Sequence, residues 1–288
     1  MTLDFRLGLI GYPLGHSLSP KIHTAALAAC GLTGDYSLFP IHPDDKTALV
    51  GLLARVRAGE IHGLNVTIPH KQNVISLLDG LTETAQAIGA VNTISLRNGQ
   101  LIGDNTDAPG FLSDLKNFLN GQKSMVKGQN PQSPITNFQS ALVLGAGGSA
   151  RAVVYALLRD GWNVTLAARR LEQAQQLANS FSHPALRTTH LTDLRPAPFD
   201  LIINTTPLGM TPNVDSTPWE LPFPENAAVY DLVYNPRETR LVREARTLGL
   251  LARSGLGMLI EQAALAFEIW TGACPDRQLL RAALEASA

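Results

Sequence analysis

Three short polar segments of this chain carry hydroxyl, amide and charged side chains close to the ends of apolar runs: Gly11 to Ser19, Asn65 to Lys71, and Asn92 on to Asp107. Polar groups gathered at strand ends point to one crevice that holds a polar ligand. Ser17 and Ser19 straddle Leu18 ahead of Pro20, so both hydroxyls can turn toward a ligand carboxylate at a helix start, although a plain N-cap at Ser19 accounts for the same residues. Asn65 and Thr67 alternate with Val66 and Ile68 and share one face of an extended segment. Lys71 follows the turn at Pro69; taken alone it reads as a solvated cation, and His70 as a turn or surface residue rather than a base. Asp107 ends Gly103-Asp104-Asn105-Thr106-Asp107 just before a helical pattern, where N-capping is the competing role.

A second chemistry is written in Gly145-Ala146-Gly147-Gly148-Ser149-Ala150. An apolar run from Ser140 to Leu144 leads straight into it and a helical pattern follows. Gly145, Gly147 and Ala150 occupy the three small-residue positions of the dinucleotide-binding fingerprint: a tight turn, close approach of a pyrophosphate, and close helix packing. Free N–H groups and the helix dipole would favour the phosphate there, though a purely structural glycine turn has the same composition. The end of the next strand distinguishes between cofactors. An acidic residue there would bind a ribose 2′-hydroxyl; this chain has Ala168-Arg169-Arg170, whose guanidinium groups favour a 2′-phosphate and hence NADP. A pair of solvated surface arginines is the alternative.

The elements that must position these residues follow from periodicity. Strands are expected over Arg6–Gly11, Asp35–Ile41 and Gly63–Ile68, with a helix over Ser19–Cys30 and helix signals resuming at Pro43-Asp44-Asp45. Val91 to Ile102 reads as a hairpin turning at Asn98-Gly99, so a mixed sheet is expected in the first hundred residues. After a helix over Ala108–Asn120, the polar stretch Gly121 to Gln139 reads as a surface loop or linker. Strands at Ser140–Leu144, Trp162–Ala168, Leu201–Asn204 and Ala228–Leu232, alternating with helices such as Leu171–Phe181 and Thr239–Leu248, predict a doubly wound sheet. Met258–Thr271 and Asp276–Ala286 are helices with no strand between them.

The chain has 288 residues, 45% hydrophobic and 16% charged, which suits two globular domains. A formal net charge of -1 offers no general field for nucleic acid. Cys30 and Cys274 lack paired spacing, and the seven histidines form no HExxH or Cys/His ligand set, so no metal is expected. With no uninterrupted apolar run of membrane-spanning length and a first strand beginning almost at once, a soluble cytoplasmic protein is the expectation, with a homodimer as the commonest assembly.

Together these segments resemble the shikimate dehydrogenase family over nearly the whole chain. Besides the motifs above, the likeness rests on Gly89-Ala90-Val91-Asn92-Thr93, Asn204-Thr205-Thr206-Pro207-Leu208-Gly209-Met210, Asp231-Leu232-Val233-Tyr234-Asn235-Pro236, and Gly255-Leu256-Gly257-Met258-Leu259 leading to Gln262. The resemblance implies an α/β protein of two domains: a discontinuous substrate domain over residues 1–106 completed by 256–288, and a Rossmann-like, doubly wound NADP-binding domain over 107–255, with the active site in the cleft between them. It implies that Ser17 and Ser19 hold the shikimate carboxylate, that Thr67, Lys71, Asn92, Asp107, Tyr234 and Gln262 contact the carboxylate or ring hydroxyls, and that Asn65 supports them. For the cofactor it implies Gly145, Ala146, Gly147, Gly148 and Ser149 at the pyrophosphate, Ala168, Arg169, Arg170, Leu171, Glu172 and Gln173 near the adenosine phosphate, Leu232 and Gly255 toward the nicotinamide, and a contact from Glu83. Where family members often have Asn-Arg-Thr, this chain has Ala168-Arg169-Arg170.

The activity so implied is reduction of the ketone of 3-dehydroshikimate by hydride transfer from NADPH, in the pathway to chorismate and the aromatic amino acids. Alkoxide charge developing on oxygen needs a proton or a cation beside it. Lys71 can supply both, with Asp107 orienting the ring hydroxyl. A dual quinate/shikimate dehydrogenase using NAD or NADP is the nearest rival, and a catalytically silent sensor that keeps the pocket is the rival from another class.

Overall fold

The computed structural model describes residues 4–120, 139–195 and 197–286. The expected loop from Gly121 lies outside them apart from Gln139. The chain forms two compact units: residues 1–110 with 260–288, and residues 111–259. Both changes of unit fall inside helices, about one turn beyond the crossings expected at 107 and 255.

The first unit opens with β1 (Asp4–Gly11), α1 (Ser19–Ala29), β2 (Thr33–Pro40), α2 (Lys46–Arg57) and β3 (Gly63–Val66), an alternation that suits parallel pairing, and β1 runs parallel to both β2 and β3. Asp45 accepts from Ala48 N and so starts α2, which buries Leu49, Leu52, Leu53 and Val56, the i, i+3, i+4, i+7 stripe of an amphipathic helix. Then come the single turn α3 (His70–Asn73), β4 (Gly80–Leu81), α4 (Glu83–Ile88), β5 (Thr93–Arg97) and β6 (Gln100–Asp104). The hairpin joining β5 and β6 turns at Asn98 and Gly99, both at positive φ, which matches the twist of its strands. Its antiparallel pairing against β3 makes the mixed six-stranded sheet β2-β1-β3-β5-β6-β4. Ile10, Leu64, Val66, Ile94 and Leu101 from the sheet pack with the α2 stripe in one apolar core.

α5 (Asp107–Asn120) leads to the second unit: β7 (Ser140–Leu144), α6 (Gly148–Arg159), β8 (Asn163–Ala168), α7 (Leu171–Phe181), β9 (Leu186–His190), β10 (Leu201–Asn204), β11 (Ala228–Asp231), α8 (Arg240–Thr247) and β12 (Ala252–Ser254). All its strand pairs are parallel, and the order is β12-β11-β10-β7-β8-β9. This is the doubly wound arrangement in which strand order reverses beside the first strand, the place where such sheets take a ligand. The central strands β7, β10 and β11 are mostly apolar and, apart from Ser140, buried, as parallel strands covered on both faces are. α9 (Leu256–Thr271) and α10 (Arg277–Glu285) end the chain, and from Ile260 onward it belongs to the first unit.

β4, α3, α4, β9 and β12 have no counterpart in the sequence reading. β4 and β12 are too short to show a period, α3 is one turn, and β9 is a half-exposed edge strand of sequence LRTTH whose alternation is almost wholly polar.

Candidate active site

In the first unit, Lys71 Nζ donates to Asp107 Oδ2 at 2.6 Å, and the two side chains are only 11% and 7% exposed. Lys71 is therefore not the solvated cation that it suggests in isolation. The pair comes together because the backbone on both sides is pinned to the Ala90-Val91 segment that leads into β5. α3 follows β3 directly, and the Lys71 carbonyl accepts from Val91 N at 2.7 Å. Asp107 is the first residue of α5, but it does not cap that helix. Asn105 does: its Oδ1 accepts from Asp107 N at 3.1 Å and Ala108 N at 3.3 Å, while its Nδ2 donates to the Ala90 carbonyl at 2.9 Å.

Asn92 joins the pair to the rest of the cluster. Its Nδ2 donates to Asp107 Oδ1 and to Thr106 Oγ1, each at 2.9 Å, and lies 3.5 Å from Gln262 Oε1. Its Oδ1 accepts from Thr106 N at 2.8 Å and from the Thr93 hydroxyl at 3.0 Å, so the amide has one orientation. Asn65, opposite Thr93 across the β3–β5 ladder, donates to the Asn92 carbonyl at 3.2 Å and accepts from the Tyr36 hydroxyl at 2.8 Å. His23, with no exposed surface, stacks on the Tyr36 ring at 4.4 Å between centroids and 4° between planes. Burial pulls its imidazole down to about 3, and the Asn65 side chain offsets only part of that.

Side-chain hydrogen bonds thus join Asn65, Lys71, Asn92, Asp107 and Gln262 of the expected set. Ser17 and Ser19 meet at the start of α1, where Ser19 N donates to Ser17 Oγ at 3.2 Å. Leu18, without a side-chain bond, occupies the cap position, so Ser19 is not the N-cap. Thr67 is half-buried at the end of β3, its N–H on the Ile10 carbonyl. Glu83 is exposed in the first turn of α4. His70 is a correction: it is 1% exposed rather than a surface residue, with Nε2 2.7 Å from the Ile41 carbonyl, because α3 turns it inward beneath the segment that follows β2. Tyr36, Thr106 and Asn105 escaped the sequence reading; Asn105 and Thr106 stood inside a motif already singled out, whereas Tyr36 carries no local signal.

In the second unit, Gly145 leaves β7 at the point where the sheet order reverses. Its φ is +107°, and a Cβ there would fall 2.8 Å from Thr205 Oγ1, so only glycine fits this turn. Gly147 precedes α6 in extended conformation, with no described atom within 4 Å of where its Cβ would stand, and Ala150 is wholly buried. Gly148 and Ser149 open the helix, with Ala146 buried behind them. The turn is shaped for backbone N–H groups to meet an anion at the start of a twelve-residue helix. Ala168 ends β8, buried; Arg169 and Arg170 are exposed, and Leu171, Glu172 and Gln173 form the first turn of α7. Leu232 and Gly255 are brought together: Gly255 lies so close against the Leu232 carbonyl that no Cβ could be accommodated, and its N–H donates to the Val233 carbonyl at 3.1 Å. Tyr234 is half-buried in the loop after β11, and burial pushes its phenol up.

Asp231, the first residue of the segment Asp231-Leu232-Val233-Tyr234-Asn235-Pro236, is a further buried carboxylate whose environment only the structure shows. Thr239 Oγ1 (2.6 Å), Asn204 Nδ2 (2.8 Å) and Val233 N (3.0 Å) all donate to it, yet burial outweighs them and raises it to about 6. Through Asn204, which also donates to the Leu208 carbonyl and accepts from Thr206 N, it fixes the loop beside the glycine turn.

Sequence comparison finds relatives along nearly the whole chain. Residues 9–94 match the shikimate dehydrogenase substrate binding domain, residues 131–209 the shikimate / quinate 5-dehydrogenase model, and residues 255–285 the shikimate 5'-dehydrogenase C-terminal domain. A shikimate dehydrogenase (NADP(+)) of Shouchella clausii is 39% identical over 97% of both chains, and one of Salinibacter ruber is 42% identical over 96% of this chain and 94% of the relative. The chain belongs to the shikimate dehydrogenase family. Within that family, the fold is similar to the shikimate 5-dehydrogenase of Thermus thermophilus solved with NADP(H) and shikimate, at a TM-score of 0.81 and 40% identity over 99% of this chain and 100% of that one. It is also similar to a quinate dehydrogenase from Corynebacterium glutamicum solved with NAD, at a TM-score of 0.83 and 32% identity over 98% and 99% of the two chains.

Proposed function

We propose that this protein is an NADP-dependent shikimate dehydrogenase, an oxidoreductase that interconverts 3-dehydroshikimate and shikimate on the route to chorismate and the aromatic amino acids. The observation that carries the reading is the buried 2.6 Å pair of Lys71 with Asp107, held by Asn92, in a member of this family. The substrate belongs to the unit made of the N-terminal sheet and the C-terminal helices, and the cofactor to the doubly wound unit. In this reading Ser17 and Ser19 take the substrate carboxylate, and Asn65, Thr67, Lys71, Asn92, Asp107, Tyr234 and Gln262 take the ring and its hydroxyls. The glycine turn from Gly145 to Ser149 fits a pyrophosphate, Arg169 and Arg170 fit a ribose 2′-phosphate, and Ala168, Leu171, Glu172, Gln173, Leu232, Gly255 and Glu83 complete the cofactor set.

When bound, NADPH supplies the hydride to the carbonyl carbon. Lys71 supplies the rest: its ammonium stabilises the charge developing on the carbonyl oxygen and passes a proton from Nζ to it. In the reverse direction neutral Nζ takes the proton of the alcohol. Asp107 holds Nζ through Oδ2, and Asn92, by fixing Oδ1, keeps the carboxylate from turning away. The silent-sensor alternative would have no use for this buried acid–base pair. We place the enzyme in the cytoplasm as a homodimer, the commonest symmetric assembly, which light scattering would test.

The deciding experiment follows nicotinamide absorbance with shikimate or quinate, each paired with NADP or NAD. Turnover with shikimate and NADP, and little with the other pairs, is the expected result. Comparable rates with quinate or NAD would favour the dual enzyme, in line with the likeness to a quinate dehydrogenase solved with NAD, and silence in all four would overturn the enzyme reading.

A further inference from the structure

The two arginines proposed to meet the 2′-phosphate stand on the turn between β8 and α7, where the Arg170 carbonyl accepts from Gln173 N and Ala174 N. β8 ends at Ala168, α7 begins at Leu171, and Arg170 occupies the cap position without a side-chain cap bond. The backbone of Arg169 is nevertheless tied down from the neighbouring strand. His190, the last residue of β9, lies in register with Ala168, and its Nε2 is 2.8 Å from the Arg169 carbonyl. A carbonyl can only accept, so Nε2 carries the hydrogen and Nδ1 is left as an acceptor. Nδ1 is engaged too: Thr192 N donates to it at 3.2 Å and the Thr192 hydroxyl lies 2.7 Å away. The imidazole is thus held at both nitrogens, one on the chain after β9 and the other on the arginine turn.

We infer that His190 is a positioning residue for cofactor choice: by fixing the Arg169 carbonyl it aims the Arg169–Arg170 turn at the ribose 2′-phosphate and favours NADP over NAD. The inference rests on the reading that these arginines bind that phosphate. The physical reason is that a guanidinium contributes to phosphate binding in proportion to how well its planar donors are oriented beforehand. Releasing the carbonyl lets the peptide between Arg169 and Arg170 rotate and spreads both side chains over more directions. NAD, with a hydroxyl at the same place, draws nothing from that alignment.

The test is isothermal titration of the intact protein with NADP and with NAD, for His190→Ala, His190→Gln, Arg169→Ala and Arg170→Ala. His190→Ala should weaken NADP about tenfold, the equivalent of roughly one well-aligned hydrogen bond, and leave NAD almost unchanged. His190→Gln, which keeps an N–H donor for the carbonyl, should recover most of the loss. Equal weakening of both cofactors in His190→Ala, as collapse of the sheet edge would cause, overturns the inference. So does unchanged NADP affinity in His190→Ala while the arginine variants lose it, with the arginine reading intact. If neither arginine variant alters the preference for NADP, the underlying reading fails, and the inference with it.

Discussion

Asn105 accepts the N–H of Asp107 at 3.1 Å, and so an aspartate in the first turn of α5 is relieved of capping that helix. Both carboxylate oxygens of Asp107 are left for side chains, Oδ2 for Lys71 and Oδ1 for Asn92. Were Asp107 to cap, the same carboxylate would turn toward backbone N–H groups and Lys71 would lose its partner. Asn105→Ala should therefore destabilise the fold by about 1 kcal/mol, as loss of a cap does, and also lower kcat, whereas Asn105→Ser, which can cap, should restore both. Thermal melting beside steady-state kinetics checks this; a variant that lost stability but kept its kcat would detach the cap from the chemistry.

Lys71→Ala should reduce kcat by about 10²–10⁴-fold, the usual worth of a positioned acid–base group. The circular dichroism spectrum should be preserved, because Asp107 keeps its bond from Asn92. Turnover near that of the unaltered protein would remove Lys71 from the mechanism.

Much of this was readable from residue order, for reasons that differ between elements. The β5–β6 hairpin and the glycine turn are specified by their own few residues, through positive φ at Asn98, Gly99 and Gly145, so local sequence suffices. The doubly wound order follows from strands alternating with helices. β9 escaped because an exposed edge strand need not alternate apolar and polar residues, and with it went His190. In the site, Asn65, Asn92 and Asp107 were visible as types at motif spacing. That Asn105 rather than Asp107 caps α5, or that Tyr36 stands behind Asn65, is a matter of tertiary contact between residues 29 positions apart in the second case. The burial of Asp231 and His23 was not legible for the same reason: the helices and strands that desolvate them lie elsewhere in the chain.

Ser17→Ala and Ser19→Ala should each raise the KM for shikimate more than they lower kcat. A hydrogen bond to a charged group contributes about 1.5–3 kcal/mol, so an increase of roughly tenfold or more is expected for whichever hydroxyl meets the carboxylate. Both variants binding shikimate normally would move the carboxylate to another part of the unit.

His23 and Asp231, two buried titratable groups outside the proposed acid–base pair, give opposite pH dependences of stability. His23 has its folded pKa lowered from 6.5 to about 3 by burial. The unfolded chain binds the proton more readily, so the stability linked to His23 is complete above about pH 6.5 and is lost as pH falls toward 3, by an amount on the order of 5 kcal/mol. Asp231 is raised from 3.8 to about 6. Here the folded chain binds the proton more readily, so its contribution is complete below about pH 3.8 and is lost as pH rises through 6, on the order of 3 kcal/mol. His23→Phe, which keeps the stack on Tyr36, should flatten the loss of the first unit's stability on acidification. Asp231→Asn should remove the loss that the second unit suffers between about pH 4 and 6, since its amide stays neutral and the Thr239 hydroxyl can rotate to accept from it. Urea unfolding at stepped pH, with hydrogen exchange read separately for β3 and β10, distinguishes the units. If His23→Phe left the acid limb of the first unit as steep as before, the imidazole would not be the group that titrates there.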